Sequence, residues 1–348
     1  MPSRAIAEAV FLDTQAFEAA SFNFASASFA ALNKHRETGR LRLVLTDITV
    51  AEVRRRITEA VDREIKAHRT FRQQARVLKT AGIEITLNEL DAAAIVKSLS
   101  DAFDAFLTNA EIISTREQEA GPVFEKYFTG AAPFGLIKDK KHEFPDAFVI
   151  QALIQWTETC NKELLVVSGD DLFREGCAAC SALHTKVDLA AVLDHVASHD
   201  EDGKKVAAFI RAQLVARAEQ LGDEAKRRFQ DLDFSVEDEW GEVEVSVTNV
   251  TLNGDPEIID ITGKRASIQM TFTAKYVADL DSSTGIRENA HGQGFFREHV
   301  EERTSGEENL VVQVEVTFNG THPEDFKVTD VDLIEPTRGR RFRTSKHR

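Results

Sequence analysis

Four acidic residues, far apart in the chain, occupy places from which their side chains could converge. Asp13 closes the apolar run Ala9-Val10-Phe11-Leu12, and Asp170 follows Leu164-Leu165-Val166-Val167 after the turn Ser168-Gly169. Glu52 comes just after the run Leu41-Arg42-Leu43-Val44-Leu45, and Asp146 directly follows Pro145. If the apolar runs are strands of a parallel sheet, and Glu52 and Asp146 open helices, all four acids face the sheet's carboxyl edge. Open α/β sheets bind their ligands there, where the strand order reverses. Carboxylates gathered that closely repel one another, so either some hold a proton or a divalent cation neutralises them. The alternative is that each acid caps a helix with no ion involved. Capping accounts for one acid, but not for four on one edge.

No other chemistry-bearing residues form a comparable set. Cys177, Cys180 and His184 have the spacing C-x2-C-x3-H, and Cys160 is a candidate fourth ligand to zinc. The same three positions share one helix face, where small Cys and Ala side chains pack, and that reading is preferred. Of the remaining histidines only His142 lies near an acid of the set. There is no nucleophile elbow for Ser/His/Asp chemistry and no Gly-rich phosphate loop.

The elements that would position the acids follow from the pattern around them. After the first strand, the small and aromatic stretch from Ser21 to Ala31 becomes helical by its end, and Gly39 stops it. Thr49-Val50-Ala51-Glu52 opens a long helix running to about Lys79, with Gly82 as terminator. Asn88 to Ile113 reads as a further amphipathic helix and Gly121 to Phe128 as a short one. Thr129 to Phe144 carries Gly130, Pro133 and Gly135 and reads as a loop. Pro145 suits the first turn of the helix from Asp146 to about Thr159, where its missing N–H has no intrahelical partner anyway. That helix places Phe148, Ala152, Ile154 and Trp156 around an apolar face. Helices over 172–182 and 188–197 follow the strand Leu164–Val167. Continuous apolar strands separated by helices imply a parallel sheet covered by helices on both faces.

Beyond residue 200 the texture changes. Asp200-Glu201-Asp202-Gly203 reads as a hinge, and residues 201–234 as a helical connector. Val243–Val247, Ala266–Thr273 and Leu310–Val316 alternate with period two, and Asn253-Gly254-Asp255-Pro256 and Asn319-Gly320 supply turns. This predicts an all-β domain over 235–336, a sandwich or barrel, and then a basic disordered tail over 337–348.

Composition sets limits on partners. The chain has 348 residues and a formal net charge of −15, which disfavours an anionic substrate unless local basic clusters receive it. Two exist: Arg54, Arg55, Arg56, Arg63, Lys66, Arg69, Arg72, Arg76 and Lys79 on the long helix, and Arg338, Arg340, Arg341, Arg343, Lys346 and Arg348 in the tail. No apolar run reaches the roughly 20 residues of a membrane span. Met1 to Val10 lacks the pattern of a secretory signal, and three cysteines do not make a disulfide scaffold. The expectation is a cytoplasmic protein without membrane association.

Taken together, four segments resemble the motifs of the PIN domain, a nuclease family. Phe11-Leu12-Asp13-Thr14 resembles its opening motif, and Thr49-Val50-Ala51-Glu52-Val53 the second, with Glu in the first turn of a helix. Glu143-Phe144-Pro145-Asp146-Ala147-Phe148-Val149-Ile150 resembles the third, and Val167-Ser168-Gly169-Asp170-Asp171-Leu172-Phe173 the fourth. Order and spacing agree over residues 9–197, so that residues 1–200 would form the PIN-like domain. Two positions depart from the family pattern: Gln15 stands where Asn or Ser is usual, and Leu172 where a further Asp is frequent. The segment after residue 235 resembles no family.

The resemblance implies a site for one or two Mg²⁺ or Mn²⁺ ions and hydrolysis of an RNA phosphodiester to a 5′-phosphate and a 3′-hydroxyl. Asp13, Asp146 and Asp170 would be metal ligands, Glu52 a ligand or a group supporting one, and Asp171 an outer auxiliary. Thr14 or Ser168 would orient a carboxylate or the metal-bound water, while Lys138, Lys140 and Lys141, just before Asp146, could contact phosphate. RNA is the expected substrate, the β domain is a candidate surface for a protein partner, and a homodimer is a further candidate assembly. Two other functions remain open: a PIN-like scaffold that binds RNA or protein without cleaving, and a structure-specific DNA nuclease.

Overall fold

The computed structural model describes residues 9–74, 88–135, 143–199, 201–232, 234–236, 240–283, 287–288, 295–296, 299–334 and 341–342. They divide into two compact units, residues 1–192 and 193–348.

The first unit is built on five parallel strands: β1 (Ala9–Leu12), β2 (Arg42–Thr46), β3 (Glu111–Ile113), β4 (Leu164–Val167) and β5 (Leu183–Lys186), in the order β3-β2-β1-β4-β5. Every residue of β1 and β4 is buried, as continuous apolar runs require when helices cover both faces. The chain builds outward from β1 through β2 to β3, then returns to the other side of β1 for β4 and β5. The strand order therefore reverses between β1 and β4.

The helices are α1 (Thr14–Ala19), α2 (Ala27–Glu37), α3 (Asp47–Gln74), α4 (Ala92–Phe106), α5 (Ala120–Thr129), α6 (Phe144–Cys160) and α7 (Asp171–Ala178). The leading part of α8 (Leu189–Ala197) completes the unit. Phe17, Phe24, Phe29, Phe103 and Phe106 join α1, α2 and α4 in an aromatic cluster with ring centroids 5.1–6.2 Å apart. Phe173 stacks on Phe11, which fixes the start of α7 over β1.

Two elements differ from the sequence reading. Residues 111–113, expected at the end of a helix, form β3, and 183–186, expected between helices, form β5. Both are edge strands with one covered flank, so neither carries the uninterrupted apolar run that marks the central strands.

The second unit contains a five-stranded antiparallel sheet: β7 (Trp240–Leu252), β8 (Glu257–Thr262), β9 (Arg265–Ser283), β12 (His299–Thr317) and β13 (Lys327–Leu333). β9 pairs along its full length with β12, while its other edge is shared by β7 and β8. Gly263, at φ +61°, makes the tight β8–β9 turn, a backbone state that glycine adopts without a Cβ penalty. Short pairs β10 (Arg287–Glu288) with β11 (Phe295–Phe296), and β6 (Ser235–Val236) with β14 (Arg341–Phe342), complete the described strands. Of the segment read as a disordered tail, Arg341-Phe342 thus pairs with Ser235-Val236, and the remaining residues lie outside the described ones.

Period-two alternation turns Ile268, Met270, Phe272 and Ala274 of β9, and Leu310, Val312, Val314 and Val316 of β12, to one apolar face. Helices cover that face. The segment read as a connector forms α9 (Glu201–Val215) and α10 (Ala218–Gln230). Ala207, Ile210 and Leu214 from α9, and Leu221, Ala225 and Phe229 from α10, enter the same core as the strands. The second layer expected from another sheet or a closed barrel is therefore supplied by this helical pair. At Gly222 the approach is close: an added Cβ would stand 3.3 Å from Val250 Cγ1 and 3.5 Å from Phe272 Cε1.

Candidate active site

The site lies where β1 and β4 end. Asp13 N donates to Val167 O at 2.9 Å, which carries the β1–β4 pairing one residue past the strand and fixes the Asp13 backbone. The Asp13 side chain accepts from Thr14 N at 2.7 Å and so caps α1. Ser168 Oγ donates to Asp13 Oδ2 at 2.8 Å and accepts from Asp170 N at 3.2 Å. One hydroxyl thereby ties the acid after β1 to the acid after β4. Asp170 caps α7 through Phe173 N at 2.9 Å.

Glu52 reaches the same edge from the second turn of α3, where its Oε2 accepts from Thr14 Oγ1 at 3.3 Å. Asp146 comes from the first turn of α6, with Pro145 beside it in that turn, as the sequence required. The start of α6 is held by aromatic packing: Phe144 lies 5.0 Å from both Tyr127 and Phe134, ring centre to ring centre, and 5.4 Å from Phe124. Ala147, one residue past the acid, is buried with Val123 and Phe134.

The electrostatics show how closely the acids interact. Burial pushes the Asp146 carboxyl up to about 8, and the charges of Asp13, Glu143, Glu52 and Asp170 add to the shift. Asp13 is pushed up to about 6, chiefly by burial, with Ser168 and Thr14 opposing the rise through hydrogen bonds and Glu52 and Asp170 adding to it. Asp13, Glu52, Asp146 and Asp170, brought from four separate stretches of the chain, thus lie near enough for the charges of Glu52 and Asp170 to raise both Asp13 and Asp146. Among the described residues no Lys or Arg pairs with Asp13 or Asp146.

Residues 10–173 match the sequence model of the PIN domain family. Over these residues the chain is similar to a PIN domain. The match ends at Phe173, just past the fourth acid, and takes in all four carboxylates of the pocket. PIN domains form a superfamily of nucleases, typically metal-dependent. The second unit matches no family model. No curated protein and no solved structure shows significant similarity to the chain.

The other sequence-predicted residues fall in different places around these acids. Thr14 and Ser168 are buried and hydrogen-bonded to the acids. Asp171 is 92% exposed at its side chain and ion-paired with Arg174, whose Nη1 donates to Ser168 O at 2.7 Å. Its position one residue past a helix cap turns it outward. Lys138, Lys140, Lys141 and His142 lie outside the described residues, as do Arg76 and Lys79 of the basic run. Cys177 is wholly buried and its thiol is pushed up to about 12 by burial, while Cys180 Sγ lies 3.8 Å from Thr157 Oγ1. His184 Nε2 lies 3.0 Å from Glu163 Oε2. Cys177 packs in the core, but α7 ends at Ala178, so Cys180 lies in the turn beyond it and His184 on β5, and the three positions do not share the one helix face expected. Sequence reasoning did not single out Glu143, which raises Asp146, or Arg174, which braces the turn at Ser168. Their places three residues before one acid and four after another are the signals that could have found them.

The donor set suits a hard dication. Its groups are all carboxylates, and two of them are raised by burial and like charge, which is the imbalance that a bound cation relieves. Among the described residues no three His, Cys, Asp or Glu side chains enclose an ion by themselves. Mg²⁺ is usually held by one or two carboxylates, keeps several waters and shares substrate phosphate oxygens, so a complete protein cage is not required. No helix among the described residues is long and apolar enough to cross a membrane.

Proposed function

We propose that this chain is a metal-dependent endoribonuclease whose PIN domain hydrolyses RNA phosphodiesters at the Asp13/Glu52/Asp146/Asp170 pocket. Asp13, Asp146 and Asp170 would hold Mg²⁺ or Mn²⁺, with Glu52 as a further ligand or a support for one. Bound there, such an ion supplies Lewis-acid stabilisation of phosphate oxygens and a more acidic water. The chain's own residues set the geometry: Ser168 orients Asp13 and fixes the Asp170 backbone, Thr14 holds Glu52, and Asp171 lies outside with Arg174. Lys138, Lys140 and Lys141 remain candidates for phosphate contact, and the second unit for recruiting substrate, a protein partner or a second copy.

The observation that carries the proposal is Asp146, a half-buried acid pushed up to about 8, first by burial and then by the charges around it, among them the other three carboxylates of the set. A scaffold with no ion would retain that repulsion for nothing. The deciding experiment incubates purified protein with single-stranded RNA and Mn²⁺ beside Asp146→Asn. Cleavage by the parent and none by the variant is expected, and equal cleavage by both sinks the site. Flapped and duplex DNA offered in parallel decide the substrate, since preferred cleavage of the flap would make the protein a structure-specific DNA nuclease.

One observation favours a second reading, a binding scaffold that does not cleave. Asp13 and Asp170 already serve as helix caps, donor by donor. Under that reading Mn²⁺ would not stabilise the protein against heat, and RNA would bind unchanged in its absence.

A further inference from the structure

Among the described residues, Glu52 differs from the other three acids in having Lys or Arg side chains against it. On the next turn of α3, Arg55 Nη2 lies 3.2 Å and Arg56 Nη2 3.5 Å from Glu52 Oε1. The same guanidinium groups reach Glu59, Arg55 Nη1 at 2.6 Å and Arg56 Nη1 at 3.6 Å. Arg56 Nε is buried yet donates no hydrogen bond among the described residues, with Glu18 Oε1 3.8 Å away. A buried donor without an acceptor is costly and calls for an explanation. Guanidinium forks match phosphate oxygens bidentately, and two of them here border the acid pocket. The Glu52 carboxylate, held by both arginines, is correspondingly less available to a dication.

We propose that Arg55 and Arg56 are the phosphate-receiving arm of this site, holding Glu52 until a substrate phosphate takes over their donors and releases the carboxylate toward the bound cation. The proposal rests on the nuclease reading above. It turns the start of the basic helix from a general substrate track into two positioning residues with a defined exchange of partners. Phosphate and cation then bind cooperatively, and by linkage each tightens the other by the same factor.

The test is calorimetric titration of Mn²⁺ into the full chain, alone and with saturating uridine 5′-phosphate, which resembles the 5′-phosphate end left by the proposed cleavage, and with uridine as control. The nucleotide should raise Mn²⁺ affinity by at least about fivefold and uridine should not. In Arg55→Ala/Arg56→Ala, Mn²⁺ should bind more tightly than to the parent without nucleotide, and the enhancement should vanish. Arg56→Lys, which keeps the charge and loses the fork, should restore the parental Mn²⁺ affinity and only part of the enhancement. A Mn²⁺ affinity unchanged by the double substitution, or an enhancement that survives it, overturns the arm. Mn²⁺ binding that is indifferent to Asp146→Asn overturns the nuclease reading together with it.

Discussion

In the first unit five of the seven buried polar side chains described, Thr14, Thr46, Thr49, Thr115 and Ser168, lie at the carboxyl edge of the sheet, with His35 and Thr157 on helices elsewhere, whereas the buried side chains described in residues 193–348 are apolar. At that edge Thr46 Oγ1 stands 2.9 Å from Thr49 Oγ1, and Thr115 donates twice to Asp47 Oδ1, at 3.0 Å from its N and 2.7 Å from its Oγ1. The second unit instead buries Phe272, Met270 and Ile268 against helices. An unpaired carboxylate is destabilising in low dielectric, so a fold retains several together only where a ligand repays it. The contrast separates a unit organised for chemistry from one organised for burial, and it can be broken in both directions.

The largest effect should come from the apolar side. Phe272→Ala empties a site that is 1% exposed and should cost about 3–5 kcal/mol. Calorimetry should show the second unit melting earlier while the Mn²⁺-dependent shift of the first is retained. Loss of both together would mean that the two units do not behave separately.

Next comes the acid pocket. Asp146→Asn should abolish cleavage and the thermal stabilisation by Mn²⁺, a loss exceeding the roughly 10–100-fold that an orienting partner's removal costs. Ser168→Ala should fall within that range, about 10–100-fold in Mn²⁺ affinity. It removes the donor at 2.8 Å from Asp13 Oδ2 and the acceptor for Asp170 N, while leaving every carboxylate in place. An unchanged affinity, measured by titration, would reduce Ser168 to a strand terminator.

How much of this was legible in the sequence follows the same division. The central strands announced themselves because a strand covered on both faces must be apolar throughout: Leu164–Val167 is buried at every residue. Glu111–Ile113 and Leu183–Lys186 were misread because an edge strand is partly exposed, and His184, Thr185 and Lys186 give no apolar pattern. The acids were legible because strand ends and helix starts fix where they emerge. Asp171 was read as an outer auxiliary, and the helix explains its place: consecutive residues at a cap diverge, and Asp171 turns to solvent beside Arg174 while Asp170 caps α7. The role of α9 and α10 was hidden by charge. Their apolar stripes are single rows, Ala207-Ile210-Leu214 and Leu221-Ala225-Phe229, inside segments otherwise rich in Lys, Arg, Asp and Glu.

The finest test of the contrast is the pH dependence of stability, expected to be the smallest effect because solvent and counter-ions screen partly exposed carboxylates. Asp146 is raised from 3.8 to about 8 and Asp13 to about 6. Between those limits the folded protein keeps protons that the unfolded chain has released, so stability falls as pH rises. The contribution is whole below about pH 4 and lost through pH 6 and then 8. Without metal the first unit should therefore melt a few degrees lower at pH 8.5 than at pH 5.5, on the scale of about 2–4 °C per kcal/mol. Asp146→Asn should flatten most of that slope. Saturating Mn²⁺ should reverse its sign, because a cation binds the deprotonated carboxylates and gains as protons leave. The second unit, with no buried carboxylate in its described core, should show neither the slope nor the reversal. A metal-free first unit equally stable at both pH values would mean that the four acids are solvated separately, and the pocket would lose its physical basis.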